Sequence, residues 1–148
     1  MKVSTKGRYG LRAMVDLAVY SNGEHVALNS IAQRQNISEN YLEQVFASLR
    51  KSGLVKSVKG AQGGYVLSRR ASEIYIGEIL KVLEGSLSVV ENEKSDDMDP
   101  NSLQYCIKVN LWDKLDDGIN KLVDSITLED LSNEYKKLND NQSMMFYI

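Results

Sequence analysis

Hydrophobic residues recur along this chain at helical spacing in several places and alternate, as in a strand, in one. Over Gly7–Tyr20, Leu11, Met14, Leu17 and Ala18 share a face, while Arg8, Arg12 and Asp16 take the other side. Ser4 or Thr5 caps the start, and Ser21-Asn22-Gly23 stops the helix. Ile31 and Ala32 mark a short second helix, broken at Asn36-Ile37-Ser38. Ser38 caps a third, with Glu39 favourable in its first turn, and Leu42, Val45, Phe46 and Leu49 form its inner face up to Gly53.

The period then changes. In residues 55–67, VKSVKGAQGGYVL, Val58 and Val66 alternate with polar neighbours, as in a half-buried hairpin. Gly60, Gly63 and Gly64 are expected to supply positive φ and to let the backbone approach a partner, with Lys56 and Lys59 placing charge along it. A nucleotide-binding loop needs strand-loop-helix order and a terminal Gly-Lys-Ser/Thr; here Gly64 is followed by Tyr65 and a strand. Helix, tight turn, helix and hairpin together fit a winged helix-turn-helix unit.

Helical spacing returns at Ile76, Ile79, Leu80 and Leu83, ending at Gly85. Residues 86–100 carry a run of acids and the only proline, Pro100, and are expected to form an acidic linker loop. A long helix is expected from about Asn101 to Ile126, with Leu103, Ile107, Leu111, Leu115, Ile119, Leu122 and Ile126 in one stripe, widened by Trp112 and Val123. Such a stripe needs a partner surface, either a second copy of the chain, joined through Leu111, Leu115, Ile119 and Leu122, or its own domain. Thr127 with Asp130 resembles a capping box, starting a last short helix to about Lys137. The expected fold is mainly α with a small β-hairpin wing. It comprises a winged helix-turn-helix domain over 1–85, the linker over 86–100, a dimerisation helix and a short following helix over 101–137, and a tail over 138–148. That tail closes on five apolar residues, MMFYI, which either dock on the chain's own body or enter a pocket of another protein.

Charge sharpens this picture. Residues 1–70 hold eleven Lys and Arg against four acids (+7), and residues 71–148 hold seven against sixteen (−9), within a net charge of −2. The split points to a polyanion meeting the first half, or to two halves that attract each other. Cys106 is the only cysteine, so no disulfide forms within the chain. No apolar run approaches a membrane span and the start lacks a signal-peptide core, so a cytoplasmic protein is expected. No nucleophile–base pair, metal-ligand spacing or nucleotide fingerprint points to an enzyme.

STKGRYGL at the start, ISENYLEQVFASLRKSGLV and GGYVL in the wing resemble the bacterial winged-helix regulators that include IscR. The resemblance runs over nearly the whole chain. EILKVLEG, SITLEDL and the closing MFYI resemble the CymR-type repressors of cysteine metabolism within that family. The resemblance implies a homodimer on a partly palindromic double-stranded DNA site. Ser38, Asn40 and Tyr41 would hold phosphates or reach bases, Glu43 and Gln44 would read base edges, and Arg50 would fix the backbone register. Lys59, beside Gly60, would stand at the minor groove where arginine is usual. Two of these have a plain alternative: Tyr41 packing in the core, and Glu43 pairing on its own helix. The resemblance further implies that Met145, Phe146, Tyr147 and Ile148 dock into the cysteine synthase CysK, whose pyridoxal phosphate stays with that enzyme. This chain would carry no cofactor. Some relatives hold an iron–sulfur cluster through three cysteines and a histidine; here Cys106 stands alone, Val109 follows three residues on, and His25 is the only histidine. Cys106 reads as a small apolar residue or as a redox switch. The alternatives to a cysteine-metabolism repressor are a cluster- or metal-sensing regulator of the IscR type and a DNA-independent interaction adaptor.

Overall fold

The computed structural model describes residues 2–91 and 93–146, and their side chains as far as Asn141. Helix α1 (Thr5–Tyr20) begins at Ser4, whose hydroxyl accepts from the Gly7 N–H at 3.1 Å. Glu84, at the end of a later helix, accepts from the Ser4 N–H (3.0 Å) and O–H (2.6 Å), tying the chain start to the body. Helices α2 (Leu28–Gln35) and α3 (Glu39–Lys51) follow, then strands β1 (Val55–Val58) and β2 (Gly64–Leu67). The strands pair antiparallel, Val55 opposite Leu67 and Val58 opposite Gly64. Helix α4 (Ile76–Glu84) completes the winged unit. At its first turn Glu78 accepts from the Tyr75 N–H (3.0 Å) and from Arg69 (2.7 Å). Burial alone would push the Glu78 carboxyl up, but these two donors hold it below the ordinary glutamate value.

The core is one cluster. Met14 and Leu17 of α1, Ile31 of α2, Leu42, Val45, Phe46 and Leu49 of α3, and Ile79 of α4 are all buried, with the Phe46 ring 4.8 Å from that of Tyr65. Two expectations change here. Asp16 does not face solvent with Arg8 and Arg12, because α2 packs over that side of α1 and covers it. In the hairpin the anchoring valine is Val55, 1% exposed, while Val58 near the turn is 37% exposed.

The second half departs further from the sequence pattern. The described residues of 86–100 include a short 3₁₀ turn, Ser95–Asp97, and are held to the later helices: Asp116 accepts from the Ser88 hydroxyl (2.7 Å) and the Val89 N–H (2.8 Å). The long helix is α5 (Leu103–Ile107), a π-helical stretch Lys108–Trp112 and α6 (Asp113–Val123) in succession. The wider stretch has a physical reason. A stripe spaced by fours drifts about 40° per step around an ideal α-helix of 3.6 residues per turn, and wider turns take up part of that drift. At Lys108 the Asp113 carboxylate, 2.7 Å away, raises the ammonium above its usual value.

Helix α7 (Leu128–Phe146) opens on the expected capping box, with Thr127 and Asp130 exchanging hydrogen bonds of 2.9 and 3.1 Å. It does not stop near Lys137 but runs on to Phe146, as a segment without Pro or Gly permits. Its start is stapled into the body: the Ile76 N–H donates to the Ile126 carbonyl (2.8 Å) and the Leu128 N–H to the Ile74 carbonyl (2.9 Å), with Leu128 fully buried. Among the described residues, no helix is long and apolar enough to cross a membrane.

Candidate nucleic-acid interface

The surface that α3 leaves free follows from what it buries. Leu42, Val45, Phe46 and Leu49 turn into the core, so Glu39, Asn40, Glu43, Gln44, Ala47 and Arg50 must face out, and all six are exposed. The turn before α3 is short and well determined. Asn36 takes the left-handed conformation (φ 54°, ψ 50°), Ile37 is buried and donates to the Ala32 carbonyl (3.0 Å), and Ser38 caps the next helix at the Tyr41 N–H (3.4 Å).

The wing stands beside this face. An open groove of about 630 Å³ separates them, bringing together Glu43 and Arg50 from α3 with Lys59 and Gly60 from the wing. Ser38 at the cap of α3, and Asn40 and Gln44 on it, are exposed outside that groove. No ion pair among the described residues involves Glu43, Arg50 or Lys59. Tyr41 is half-buried, its ring edge-on to that of Tyr9 with centroids 6.0 Å apart.

The three wing glycines divide their work differently from expectation. Only Gly60 has positive φ, at 121°. Gly63 and Gly64 are needed for close approach to the chain's own backbone: a Cβ at Gly63 would lie 2.3 Å from the Val58 carbonyl oxygen, and one at Gly64 would lie 2.2 Å from that of Val26. Val26 and Tyr65 exchange two backbone hydrogen bonds of 2.9 Å, which makes the α1–α2 connection a third rung beside the wing. The His25 ring contacts the Gln62 carbonyl at the wing tip.

Sequence reasoning missed a polar stripe on α1. Tyr9, Arg12, Asp16 and Tyr20 lie three, four and four residues apart, the spacing of one helix face. The Asp16 side chain is 0% exposed and accepts three hydrogen bonds, from Arg34 Nε (3.0 Å), Arg34 Nη2 (2.8 Å) and Gln35 Nε2 (2.8 Å). Arg12 donates to the Gln35 carbonyl (2.9 Å) at the end of α2 and lies over the Tyr9 ring (5.0 Å). The Arg34 guanidinium lies 4.0 Å from the Tyr20 ring centroid. Its bond to Asp16 raises the Arg34 pKa further, against the opposing effect of burial, and the Tyr135 hydroxyl of α7 together with burial raises that of Tyr20. The 3-4-4 spacing was visible in sequence, but a mixture of charge and tyrosine reads as a solvated face until a neighbour covers it.

The arm formed by α5, the π-helical stretch and α6 has no residue fully buried. Of the four residues expected to join two copies, Leu111, Leu115 and Leu122 are exposed, while Ile119 turns to the body and packs on the core with Val123 and Ile126. The side chains of Met145 and Phe146, and all of Tyr147 and Ile148, lie outside the described residues.

The family model described as Rrf2, iron-dependent transcriptional regulator, matches residues 3–134. The chain is 45% identical over 148 residues to the HTH-type transcriptional regulator CymR of Bacillus subtilis (strain 168), covering all of both chains. Its fold is similar to the solved structure of CymR, the global cysteine regulator of B. subtilis, with a TM-score of 0.76 at 46% identity over 90% of this chain and 98% of that one. It is also similar to that of T. potens IscR, with a TM-score of 0.74 at 46% identity over 93% and 90%. The iron of the family description meets no matching donor set here. Cys106 is the only thiol and His25, the only imidazole, sits against the wing; no cluster of metal-ligating side chains occurs among the described residues. Two copies would supply only two thiolates.

The wing geometry yields a stability test. Gly64→Ala forces a Cβ against the Val26 carbonyl and is expected to destabilise the protein by about 1–3 kcal/mol in denaturant unfolding. An unchanged midpoint would mean that the α1–α2 connection yields freely.

Proposed function

The chain belongs to the Rrf2 family of transcriptional regulators, and from that premise we propose that it is a cytoplasmic, dimeric repressor that binds operator DNA to control cysteine and sulfur metabolism. The observation that carries the DNA reading is the groove between α3 and the wing, where Glu43, Arg50 and Lys59 stand exposed with no protein charge partner among the described residues. In this reading α3 enters the major groove. Glu43 accepts from a cytosine amino group while repelling phosphate, which makes it a selector rather than an anchor. Gln44 reads a neighbouring base edge, Ser38, Asn40 and Tyr41 hold phosphates or reach bases at the groove edge, and Arg50 fixes the backbone register. Lys59 and Gly60 bring the wing to the minor groove; lysine, more strongly hydrated than arginine, discriminates groove width less.

Two copies supply the symmetry that a partly palindromic site needs. The exposed stripe of Leu111, Leu115 and Leu122 supports this, as does an apolar groove of about 410 Å³ between α1 and α7, lined by Leu11, Val15, Val19 and Leu131, which offers a second copy's arm a seat. The cysteine role rests on the solved relative named as a global cysteine regulator, CymR of B. subtilis. Met145–Ile148 would place apolar anchors in a pocket of CysK.

Base reading is tested by binding to duplexes varied at one position at a time. Glu43→Ala is expected to relax preference at one base pair, worth about 1–3 kcal/mol, more than it lowers overall affinity. A uniform loss across sequences contradicts the assignment. Leu111→Asp with Leu115→Asp is expected to give monomers in sedimentation and to lose palindrome binding; a dimer that persists moves the interface elsewhere. Deleting Met145–Ile148 is expected to abolish co-purification with CysK while the chain remains dimeric, and unchanged co-purification removes the tail from that role.

A further inference from the structure

We infer that the α1 stripe of Tyr9, Arg12, Asp16 and Tyr20 sets the orientation of the helix-turn-helix, with Asp16 and Arg34 acting as positioning residues for sequence discrimination. The inference rests on the DNA reading above and adds to it a pair that touches no DNA.

Asp16 is a fully buried carboxylate, and all three of its donors come from Arg34 and Gln35, in the last turn of α2. Only Asn36 and Ile37 separate that turn from Ser38, the cap of α3. The orientation of the last turn of α2 is therefore passed on within two residues to the start of the helix that carries Asn40, Glu43 and Gln44. Arg12 holds the same turn at the Gln35 carbonyl, placing a cation at the negative end of a helix. Tyr9, under Arg12, meets Tyr41 in the first turn of α3. One face of α1 thus grips the end of α2 and the beginning of α3 together.

Stability does not account for this choice of residues. Desolvating a carboxylate offsets most of what its partner returns, and apolar residues of similar volume commonly hold a fold as well or better. The two-pronged Arg–carboxylate fork has a rigid planar geometry and admits a narrow range of orientations. A site that reads base edges needs side chains held to a fraction of an ångström, and a fork at the turn supplies that.

The discriminating variant replaces the pair together, Asp16→Leu with Arg34→Met, so that no unpaired charge is left buried. The probe is a duplex that the wild-type protein selects from a random-sequence pool, compared with a shuffled duplex of the same composition. The double variant is expected to keep its helix content, its thermal midpoint and its wild-type sedimentation, and to lose about tenfold in the ratio of selected to shuffled affinity, the scale of one mismatched base pair; a loss of selectivity that comes only with a changed sedimentation overturns the positioning role. A purely structural pair predicts the wild-type ratio in the folded double variant, and that result overturns the inference. Arg34→Lys keeps the charge and removes the fork, so it decides the matter if the double variant does not fold. Its ratio is expected to fall by about threefold or more; an unchanged ratio overturns the positioning role. A wild-type protein that selects nothing overturns the DNA reading itself, whereas a selective wild type with equally selective variants overturns only the role of the pair.

Discussion

Helix α1 is the beam against which the rest of the body is built. Its apolar residues Met14 and Leu17 enter the common core, and α2, α3, β2, α4 and α7 all pack on it. Its first turn is tied to the end of α4 through Glu84, and its polar face grips the turn between α2 and α3. A helix-turn-helix pair by itself is a small α-hairpin with little apolar area to bury, and its crossing angle is weakly determined. Packing both helices on a third, with a buried polar clamp at the turn, narrows that angle. The same face of α1 also borders the apolar groove next to α7, since Arg12, Asp16, Tyr20 and Gln35 line that groove with Leu131 and Tyr135. On the proposed reading, the surface that receives a second copy and the clamp that orients α3 share side chains.

The wing depends on backbone closeness rather than on apolar mass. Its two strands are four residues each and their burial is partial, too little for an isolated hairpin to hold in water. What fixes it is the Val26–Tyr65 rung, the tilted ring contact of Phe46 with Tyr65, and Leu54 and Val55 in the core. Gly64 makes the rung possible by leaving no Cβ in the way of Val26. The wing tip is thereby carried on the same body as α3, with Lys59 and Arg50 lining one groove.

The arm obeys a different logic. Leu103 is 75% exposed and Leu122 61%, surface that a monomer of this size does not ordinarily leave in one row. Ile119, Val123 and Ile126 bind the arm to the body, while Leu111, Leu115 and Leu122 look away from it. The single stripe in the sequence is therefore two half-stripes in space, one turned inward and one outward. The change of bearing comes within α6, between the exposed Leu115 and the inward Ile119, one to two turns after the π-helical stretch Lys108–Trp112.

Local rules were enough for much of this. Caps at Ser4, Ser38 and Thr127, the periodic faces of α1, α3 and α4, and the alternation before Gly60 made the winged helix-turn-helix legible, because each depends on residues within one or two turns of one another. The exposed face of α3 was legible for the same reason: once Leu42, Val45, Phe46 and Leu49 are inside, geometry puts Glu43, Gln44 and Arg50 outside. The burial of Asp16, the task of Gly64, the inward turn of Ile119 and the length of α7 were not. The first three are decided by a segment distant in sequence, namely Arg34 over Asp16, Val26 against Gly64, and the body beneath the arm, whereas the run of α7 past Lys137 rests on the absence of a local stop. Local spacing says which residues share a face. Only the folded chain says which faces meet, and a charge or a glycine has no fixed meaning until its neighbour across the fold is in place.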